Sequence, residues 1–85
     1  MRLPFYVYVL RCGDGSLYTG IARDVGRRFA EHVTGRGARY TRGRGPLRVA
    51  HAEGPYDKGD ALRRELAIKA LPRDEKEALC GEANP

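Results

Sequence analysis

The chain has 85 residues, enough for one domain with a modest core and too few for a second. Its 16 lysines and arginines outnumber 11 acidic residues, and the resulting charge of +5 favours a polyanionic partner such as nucleic acid. No apolar run is long enough to cross a membrane, and the two cysteines, Cys12 and Cys80, lack the spacing of a zinc site. We interpret both as reduced thiols of a cytoplasmic protein, with a disulfide between them as the alternative.

The start of the chain predicts a β-hairpin. Tyrosines and valines are frequent in residues 5–11, and both faces of this segment are apolar, which is typical of a central strand. A Gly-Asp-Gly-Ser turn at 13–16 leads into a second strand over residues 17–21. Such a hairpin places Tyr8 and Tyr18 on paired strands.

A helix is predicted from Asp24 to Thr34, with Gly35 ending it. The Asp24 carboxylate can cap the free amides of the first turn. An apolar stripe at helical spacing should face the core and is formed by Val25, Phe29 and Val33.

Two polar residues of this helix, Arg28 and His32, lie one step around from the stripe. We expect them at the edge of the packed face, near the end of the strand that carries Tyr18. Local geometry therefore predicts that a tyrosine, an arginine and a histidine lie together.

The segment 35–46 is rich in glycine and contains four arginines and no acid, which predicts a flexible cationic loop. Arginines interleaved with a tyrosine suit phosphate contacts and base stacking. The alternative is a solvated linker. The residues that we expect to bind nucleic acid are Arg36, Arg39, Tyr40, Thr41, Arg42 and Arg44.

A third strand is predicted over residues 47–53, at an edge of the sheet, with His51 on its surface. Gly54 and Pro55 then predict a turn. A second helix begins at Asp57 or Asp60 and ends near residue 71.

In this second helix Glu65 borders the apolar stripe, which is formed by Ala61, Leu62, Leu66 and Ile68. Pro72 can open a third helix, with Leu79 as its apolar anchor. The order strand, strand, helix, strand, helix, helix predicts an α+β fold with a small three-stranded antiparallel sheet flanked by helices. We expect one domain over residues 1–80 and a frayed tail over 81–85.

The ordered motifs of the chain resemble those of the GIY-YIG nuclease domain. They are Tyr6-Val7-Tyr8, Tyr18-Thr19-Gly20 after a short turn, then Arg28, His32 and a later helical Glu65. No single element is specific, but the ordered set is. The resemblance runs from Tyr6 to about Leu79. It is closest to the small stand-alone bacterial members and more distant to the N-terminal nuclease domain of the excision-repair excinuclease.

The resemblance implies an endonuclease that hydrolyses phosphodiester bonds in nucleic acid, DNA rather than RNA, with one Mg²⁺ or Mn²⁺ ion. By that resemblance Tyr18 activates or positions the water, and Tyr8 helps to hold the water and the phosphate. Arg28 is the catalytic arginine, whose planar guanidinium matches phosphate oxygens. Glu65 is the metal-binding acid. His32 titrates near neutral pH, which makes it a candidate proton acceptor.

Two positions depart from the family pattern. Ile21 stands where the excision-repair relatives carry a lysine, and the late asparagine has no counterpart except Asn84 in the tail. Both departures concern catalytic rate and leave the predicted fold unchanged. One alternative is a nucleic-acid-binding module of the same fold with weak or no turnover. Another is a small structural protein, which would leave Arg28, His32 and Glu65 unexplained.

Overall fold

The computed structural model describes residues 4–81, so the predicted tail lies outside it except for Gly81, and so does Asn84. An antiparallel sheet of order β2-β1-β3 is formed by β1 (Phe5–Arg11), β2 (Leu17–Ala22) and β3 (Arg48–Tyr56). The helices are α1 (Val25–Val33), α2 (Lys58–Lys69) and α3 (Arg73–Cys80). The predicted α+β fold and element order are confirmed, with β1 central and β3 at an edge.

Both faces of the central strand β1 are buried. Val7 and Val9 are 0% and 1% exposed and belong to the apolar core, which α2 and α3 complete. Because side chains alternate along a strand, Tyr8 points to the opposite face, where it meets His32 of α1. The sheet therefore separates the apolar core from the layer in which Tyr8 and His32 meet.

Helix α1 begins and ends with the residues that the sequence predicts. The Asp24 side chain caps it by accepting a hydrogen bond from the backbone amide of Arg27 at 3.0 Å. Thr34 is the C-terminal cap, and Gly35 follows with a φ of 81°, the left-handed conformation that commonly terminates a helix.

The apolar stripe predicted for α1 is not its buried face, so that part of the prediction is wrong. Val33 is 57% exposed and Phe29 is half-buried, whereas His32 is 2% exposed. Leu62 and Leu66 of α2 are also exposed, although their spacing predicts a core face. A polar side chain can take the buried position when its hydrogen-bonding groups find partners, and both ring nitrogens of His32 do so.

Strand β3 includes Gly54 and Pro55, where a turn was expected, and continues to Tyr56. The register between β1 and β3 shifts opposite this dipeptide and again between Val9 and Leu10. Gly54 has a φ of 140°, and its backbone packs so closely on Tyr6 that a Cβ would come within 2.8 Å of the ring. The dipeptide therefore forms a bulge that bends the strand without ending it.

A carboxylate on β3 fixes helix α2 onto the sheet. Glu53 accepts hydrogen bonds from Arg64 Nε at 2.6 Å and from the Tyr56 hydroxyl, and it lies 2.7 Å from His51 Nε2. Burial acts to raise the pKa of Glu53, but these hydrogen bonds outweigh it and lower that pKa to about 2. Since Arg64 precedes Glu65 in α2, this ion pair also fixes the position of Glu65.

The last helix is held by a similar pair, Arg11 of β1 and Glu77 of α3, whose closest atoms are 2.5 Å apart. Cys12 and Cys80 are both buried and are not joined by a disulfide, which confirms the prediction of reduced cysteines. None of the helices formed by residues 4–81 combines the length and the apolar character that a membrane crossing requires.

The pairing of Tyr8 with Gly20 across β1 and β2 gives a stability test, because a Cβ at Gly20 would come within 2.6 Å of Tyr8 Oη. We expect Gly20→Ala to lower the free energy of unfolding by about 1–3 kcal/mol, the usual effect of overpacking. Gly26→Ala adds the same methyl group inside α1, where the nearest atom is 3.6 Å away, and should be neutral or stabilising by up to about 1 kcal/mol. Urea unfolding measures both variants, and equal effects would contradict a constraint by Tyr8.

Candidate active site

A buried hydrogen bond between the sheet and α1 lies at the centre of the candidate site. Tyr8 Oη and His32 Nε2 are 2.8 Å apart, and the two residues are 1% and 2% exposed. Gly20 makes this possible, because any larger residue would collide with the Tyr8 hydroxyl and ring. Close packing against Tyr8 thus explains why the Tyr-Thr-Gly motif has a glycine in this chain.

Tyr18 completes an aromatic cluster around this bond. Its ring centroid lies 6.4 Å from that of Tyr8 and 5.2 Å from that of His32. In the sheet Tyr18 pairs with Leu10, two residues beyond Tyr8, so both tyrosines are on one face. The expected proximity of Tyr18 and His32 is found, and so is the placement of Tyr8 and Tyr18 on paired strands.

Arg28 borders this cluster at the rim of the site, where it was expected. Its side chain is 35% exposed, and Nη1 donates to Glu31 Oε1 at 2.9 Å. Burial raises the pKa of Tyr8 to about 12, the neighbouring Tyr18 and Glu65 act in the same direction, and the adjacent Arg28 opposes them through a hydrogen bond and its positive charge. Tyr8 is therefore a protonated phenol at neutral pH, next to a fixed positive charge.

Glu65 of α2 carries a carboxylate whose negative charge has the smallest of these effects on the pKa of Tyr8. Its side chain is 16% exposed, and one carboxylate oxygen lies 3.3 Å from Lys69 Nζ, a pair that the sequence analysis missed. Among the described residues, no three side chains of His, Cys, Asp or Glu are grouped as a metal site would require. A lone carboxylate still fits Mg²⁺, which commonly binds through one or two carboxylates and takes its remaining oxygens from substrate and water.

His32 lies inside the protein rather than at the edge of the packed face, which corrects its expected placement. Its Nδ1 is 2.9 Å from Thr41 Oγ1 and accepts a hydrogen bond from the backbone amide of Ala38 at 3.3 Å. Gly37 packs against the ring so closely that a Cβ there would overlap Nδ1. Burial lowers the pKa of His32 and the nearby Arg28 lowers it further, while Glu31 acts in the opposite direction.

The loop that follows α1 is not the unstructured linker that was considered for residues 35–46. It contains a 3-10 turn over Arg39–Thr41. Arg44 pairs with Asp14 of the β1–β2 turn at 2.6 Å and stacks over Tyr40, 4.3 Å from the ring centroid. Tyr40 in turn stacks on Tyr18 at 5.8 Å, so the loop joins the aromatic cluster.

The loop residues predicted to bind nucleic acid fall into two groups. Thr41 is 2% exposed and its hydroxyl faces His32, so it lies inside the protein rather than on the expected binding surface. Arg36, Arg39 and Arg42 are exposed to differing degrees, with Arg42 Nε donating to the Gly35 carbonyl at 3.1 Å. Buried partners for a histidine cannot be recognised from a glycine-rich sequence, which explains why the role of Thr41 was missed.

A second cationic surface lies beside Arg28 and was not predicted. Arg23 and Arg27 join it along an open cleft of about 340 Å³, whose lining also includes Ile21 and Glu31. The signal was present in the sequence, since three arginines fall within six residues at the start of α1. Ile21, the position that departs from the family pattern, therefore forms part of the cleft.

Comparison with known proteins identifies the family to which the chain belongs. Residues 4–78 match the GIY-YIG catalytic domain. The chain is 54% identical over 74 residues to a UPF0213 protein of Halobacterium salinarum, with 87% of this chain and 96% of that protein covered. The chain therefore belongs to the GIY-YIG family.

Two solved structures are similar to this fold. The solution NMR structure of a UPF0213 protein from Bacillus halodurans is 48% identical, with a TM-score of 0.58 over 91% of this chain and 82% of that one. A second solution NMR structure, of a protein from E. faecalis, is 34% identical, with a TM-score of 0.61 over 99% of this chain and 94% of that one. The chain thus spans most of the length of each.

The lowered pKa of His32 predicts how stability depends on pH. Between the ordinary value of 6.5 and the lower folded value, the unfolded chain binds a proton that folded His32 does not. The contribution of His32 to the free energy of unfolding should therefore be at its maximum above about pH 6.5 and should be lost as the pH falls through the folded pKa. The stability that Glu53 contributes should be lost only below pH 4.5, the ordinary pKa of a glutamate, because the folded pKa of Glu53 is about 2.

Urea unfolding between about pH 7.5 and about pH 5.5 measures this effect. The control is His51→Gln, which should keep the same decrease, whereas His32→Gln should remove it. An unchanged decrease in His32→Gln would assign the pH dependence to other groups.

Proposed function

We propose that this protein is an endonuclease that hydrolyses phosphodiester bonds in nucleic acid, DNA rather than RNA, with a divalent metal ion. The observation that carries the proposal is the cluster of Tyr8, Tyr18 and His32 on one side of the sheet, with Arg28 at its rim. Membership of the GIY-YIG family supports it.

Arg28 is the group that would hold the phosphate. A guanidinium matches two phosphate oxygens with parallel hydrogen bonds, and the charge it supplies counts most where negative charge grows in the transition state. Glu31 keeps the side chain at the rim of the cleft, where 35% of it is exposed. A phosphate there would share or replace the contact with Glu31.

Tyr18 is partly exposed and would position the water and the phosphate. The Tyr8 phenol keeps its proton at neutral pH, because its pKa is about 12, but it is 1% exposed, so it would support Tyr18 and Arg28 from within the protein. His32 acts through Tyr8 and not on the water, since its ring is 2% exposed and both nitrogens have partners within the protein. This revises the expectation that His32 itself accepts the proton of the water.

Glu65 is the residue that would hold the Mg²⁺ or Mn²⁺ ion. When bound, such an ion supplies positive charge that stabilises phosphate oxygens. Lys69 Nζ lies 3.3 Å from one oxygen of this carboxylate. Lys69 would have to give up part of its contact with Glu65 when the ion binds.

The arginines around the site would guide the nucleic acid. Arg23 and Arg27 line the cleft that contains Arg28, and Arg36 and Arg39 lie on the adjoining loop. Contacts of this kind are to phosphates and carry no sequence information, which suits cleavage without sequence preference. We also infer that residues 1–80 act as one domain, in the cytoplasm, where cysteines outside disulfides, such as Cys12 and Cys80, stay reduced.

A nucleic-acid-binding module with weak or no turnover is the second candidate. Two observations favour it: the pairing of Lys69 with Glu65, and the presence of Ile21 in the cleft wall where the excision-repair relatives carry a lysine. The first feature neutralises the carboxylate that would hold the metal ion, and the second leaves out a positive charge near the tyrosines. The arginine surfaces, which would bind nucleic acid, remain intact.

A cleavage assay separates the two candidates. Labelled single-stranded, duplex and branched DNA and RNA are incubated with Mg²⁺, Mn²⁺ or a chelator. We expect metal-dependent cleavage that Glu65→Gln abolishes, because the variant loses the charge that would hold the ion. The matched control is Glu75→Gln, an exposed acid of α3, which should leave cleavage unchanged.

Thermal unfolding of both variants must resemble that of the wild type for this comparison to hold. Binding without cleavage under every metal condition would favour the binding module. Equal cleavage by Glu65→Gln and wild type would remove Glu65 from the site.

The dependence of binding on salt tests the cationic loop. Each arginine that contacts a phosphate should contribute about 0.7–0.9 to the slope of log affinity against log salt. Replacing Arg36 and Arg39 by Gln should therefore flatten the slope by about 1.4–1.8. The matched control replaces Lys58 and Arg63, two exposed cations of α2, and should change the slope less. Equal changes would show that binding is diffuse and that the loop has no special part in it.

A further inference from the structure

The loop after α1 supplies two hydrogen-bonding groups to Nδ1 of the His32 ring. His32 Nδ1 lies 2.9 Å from Thr41 Oγ1 and 3.3 Å from the backbone nitrogen of Ala38. The other nitrogen, Nε2, lies 2.8 Å from Tyr8 Oη. His32 and Thr41 are each 2% exposed, so these contacts are shielded from water.

The proton of the neutral ring must be on one of the two nitrogens, and the amide of Ala38 decides which. An amide N–H can only donate, so Nδ1 must be the acceptor. If Nδ1 carried the proton, two donors would face each other across 3.3 Å in a buried place.

Thr41 is consistent with the same assignment. Its hydroxyl lies 2.9 Å from both the Ala38 carbonyl, to which it can donate, and His32 Nδ1, and the same carbonyl also accepts the backbone amide of Thr41 at 3.1 Å. Because the carbonyl keeps that amide as a partner, the hydroxyl can turn its single proton to Nδ1 without leaving the carbonyl unpaired. Every polar group in this set then has a partner, and Nε2 is left with the proton.

We propose that Thr41 and the backbone amide of Ala38 are positioning groups that keep the proton of neutral His32 on Nε2, so that His32 donates a hydrogen bond to Tyr8. The Tyr8 oxygen is then an acceptor towards His32, and its own proton points away from His32. Negative charge on the Tyr8 oxygen would be stabilised by the same N–H. The importance of this hydrogen bond for cleavage rests on the proposed function, whereas the assignment of the proton to Nε2 does not.

The rest of the fold holds the loop in this arrangement. The backbone amide of Gly13, in the β1–β2 turn, donates to the Arg44 carbonyl at 2.6 Å, and Asp14 pairs with the Arg44 side chain. Gly37 permits the chain to pass directly over the His32 ring. The cationic loop thus has an internal task besides any contact with nucleic acid.

The test is ¹⁵N NMR of the imidazole ring, recorded on the free protein without metal or nucleic acid at a pH where His32 is neutral. The nitrogen chemical shifts distinguish the Nε2–H from the Nδ1–H form. We expect the wild type to have its proton on Nε2. A wild-type spectrum with the proton on Nδ1 would overturn the proposal, and it would do so whether or not the protein cleaves nucleic acid.

Variants then test Thr41 itself. Thr41→Val removes the hydroxyl at nearly constant shape and should raise the population of the Nδ1–H form, whereas Thr41→Ser should restore the wild-type spectrum. The matched control is Thr34→Val, at an exposed threonine whose hydroxyl bonds the carbonyls at the end of α1. Ring shifts in Thr41→Val equal to those in Thr34→Val would overturn the role of Thr41.

In the cleavage assay we expect Thr41→Val to lower kcat by about tenfold with KM unchanged, since the change affects Tyr8 and not the phosphate-binding arginines. Thr41→Ser should regain most of the rate. A raised KM with unchanged kcat would overturn the positioning role in catalysis, even if the proton assignment stands.

Discussion

The hydrogen bond between Tyr8 and His32 is the constraint on which the candidate site depends. It joins the central strand to the first helix, and both groups are buried, so neither can turn to water for another partner. Gly20 has to lack a side chain because the Tyr8 hydroxyl occupies that space, and Gly37 because the His32 ring does. Residues that look unrelated in the sequence are thus fixed by one polar contact between two layers of the fold.

Much of the fold follows from local chemistry, and the sequence was sufficient to predict it. The Asp24 cap, the Gly-Asp-Gly-Ser turn and the alternation of β1 act over a few residues, so most strands and helices were found close to their true limits. For α2 the sequence left Asp57 and Asp60 as alternative caps, and the structure has Asp57. The end of β3 was missed because Gly54 and Pro55 form a bulge only when Tyr6 packs beneath them. That packing is a tertiary property, which no local pattern reports.

The candidate site was predictable in identity but not in arrangement. The family motifs point to Tyr8, Tyr18, Arg28, His32 and Glu65. They do not say which of these are buried, and hydrophobic periodicity assigned the inner face of α1 to Val33 in place of His32. Nor does a Gly- and Arg-rich loop indicate that Thr41 is turned inwards while its arginines remain outside. Burial of a polar group depends on partners distant in sequence, so it has to be seen in the structure.

The register shifts between β1 and β3 have a consequence beyond the local bend. An edge strand with a regular row of free amides and carbonyls is a template on which another chain can add a strand. β3 is such an edge, but its pairing is shifted at two points, and Pro55 within it has no amide hydrogen to donate. A second strand approaching β3 would therefore find neither a continuous ladder nor a flat surface. The same bulge that bends this strand over Tyr6 makes β3 a poor template for sheet-to-sheet aggregation.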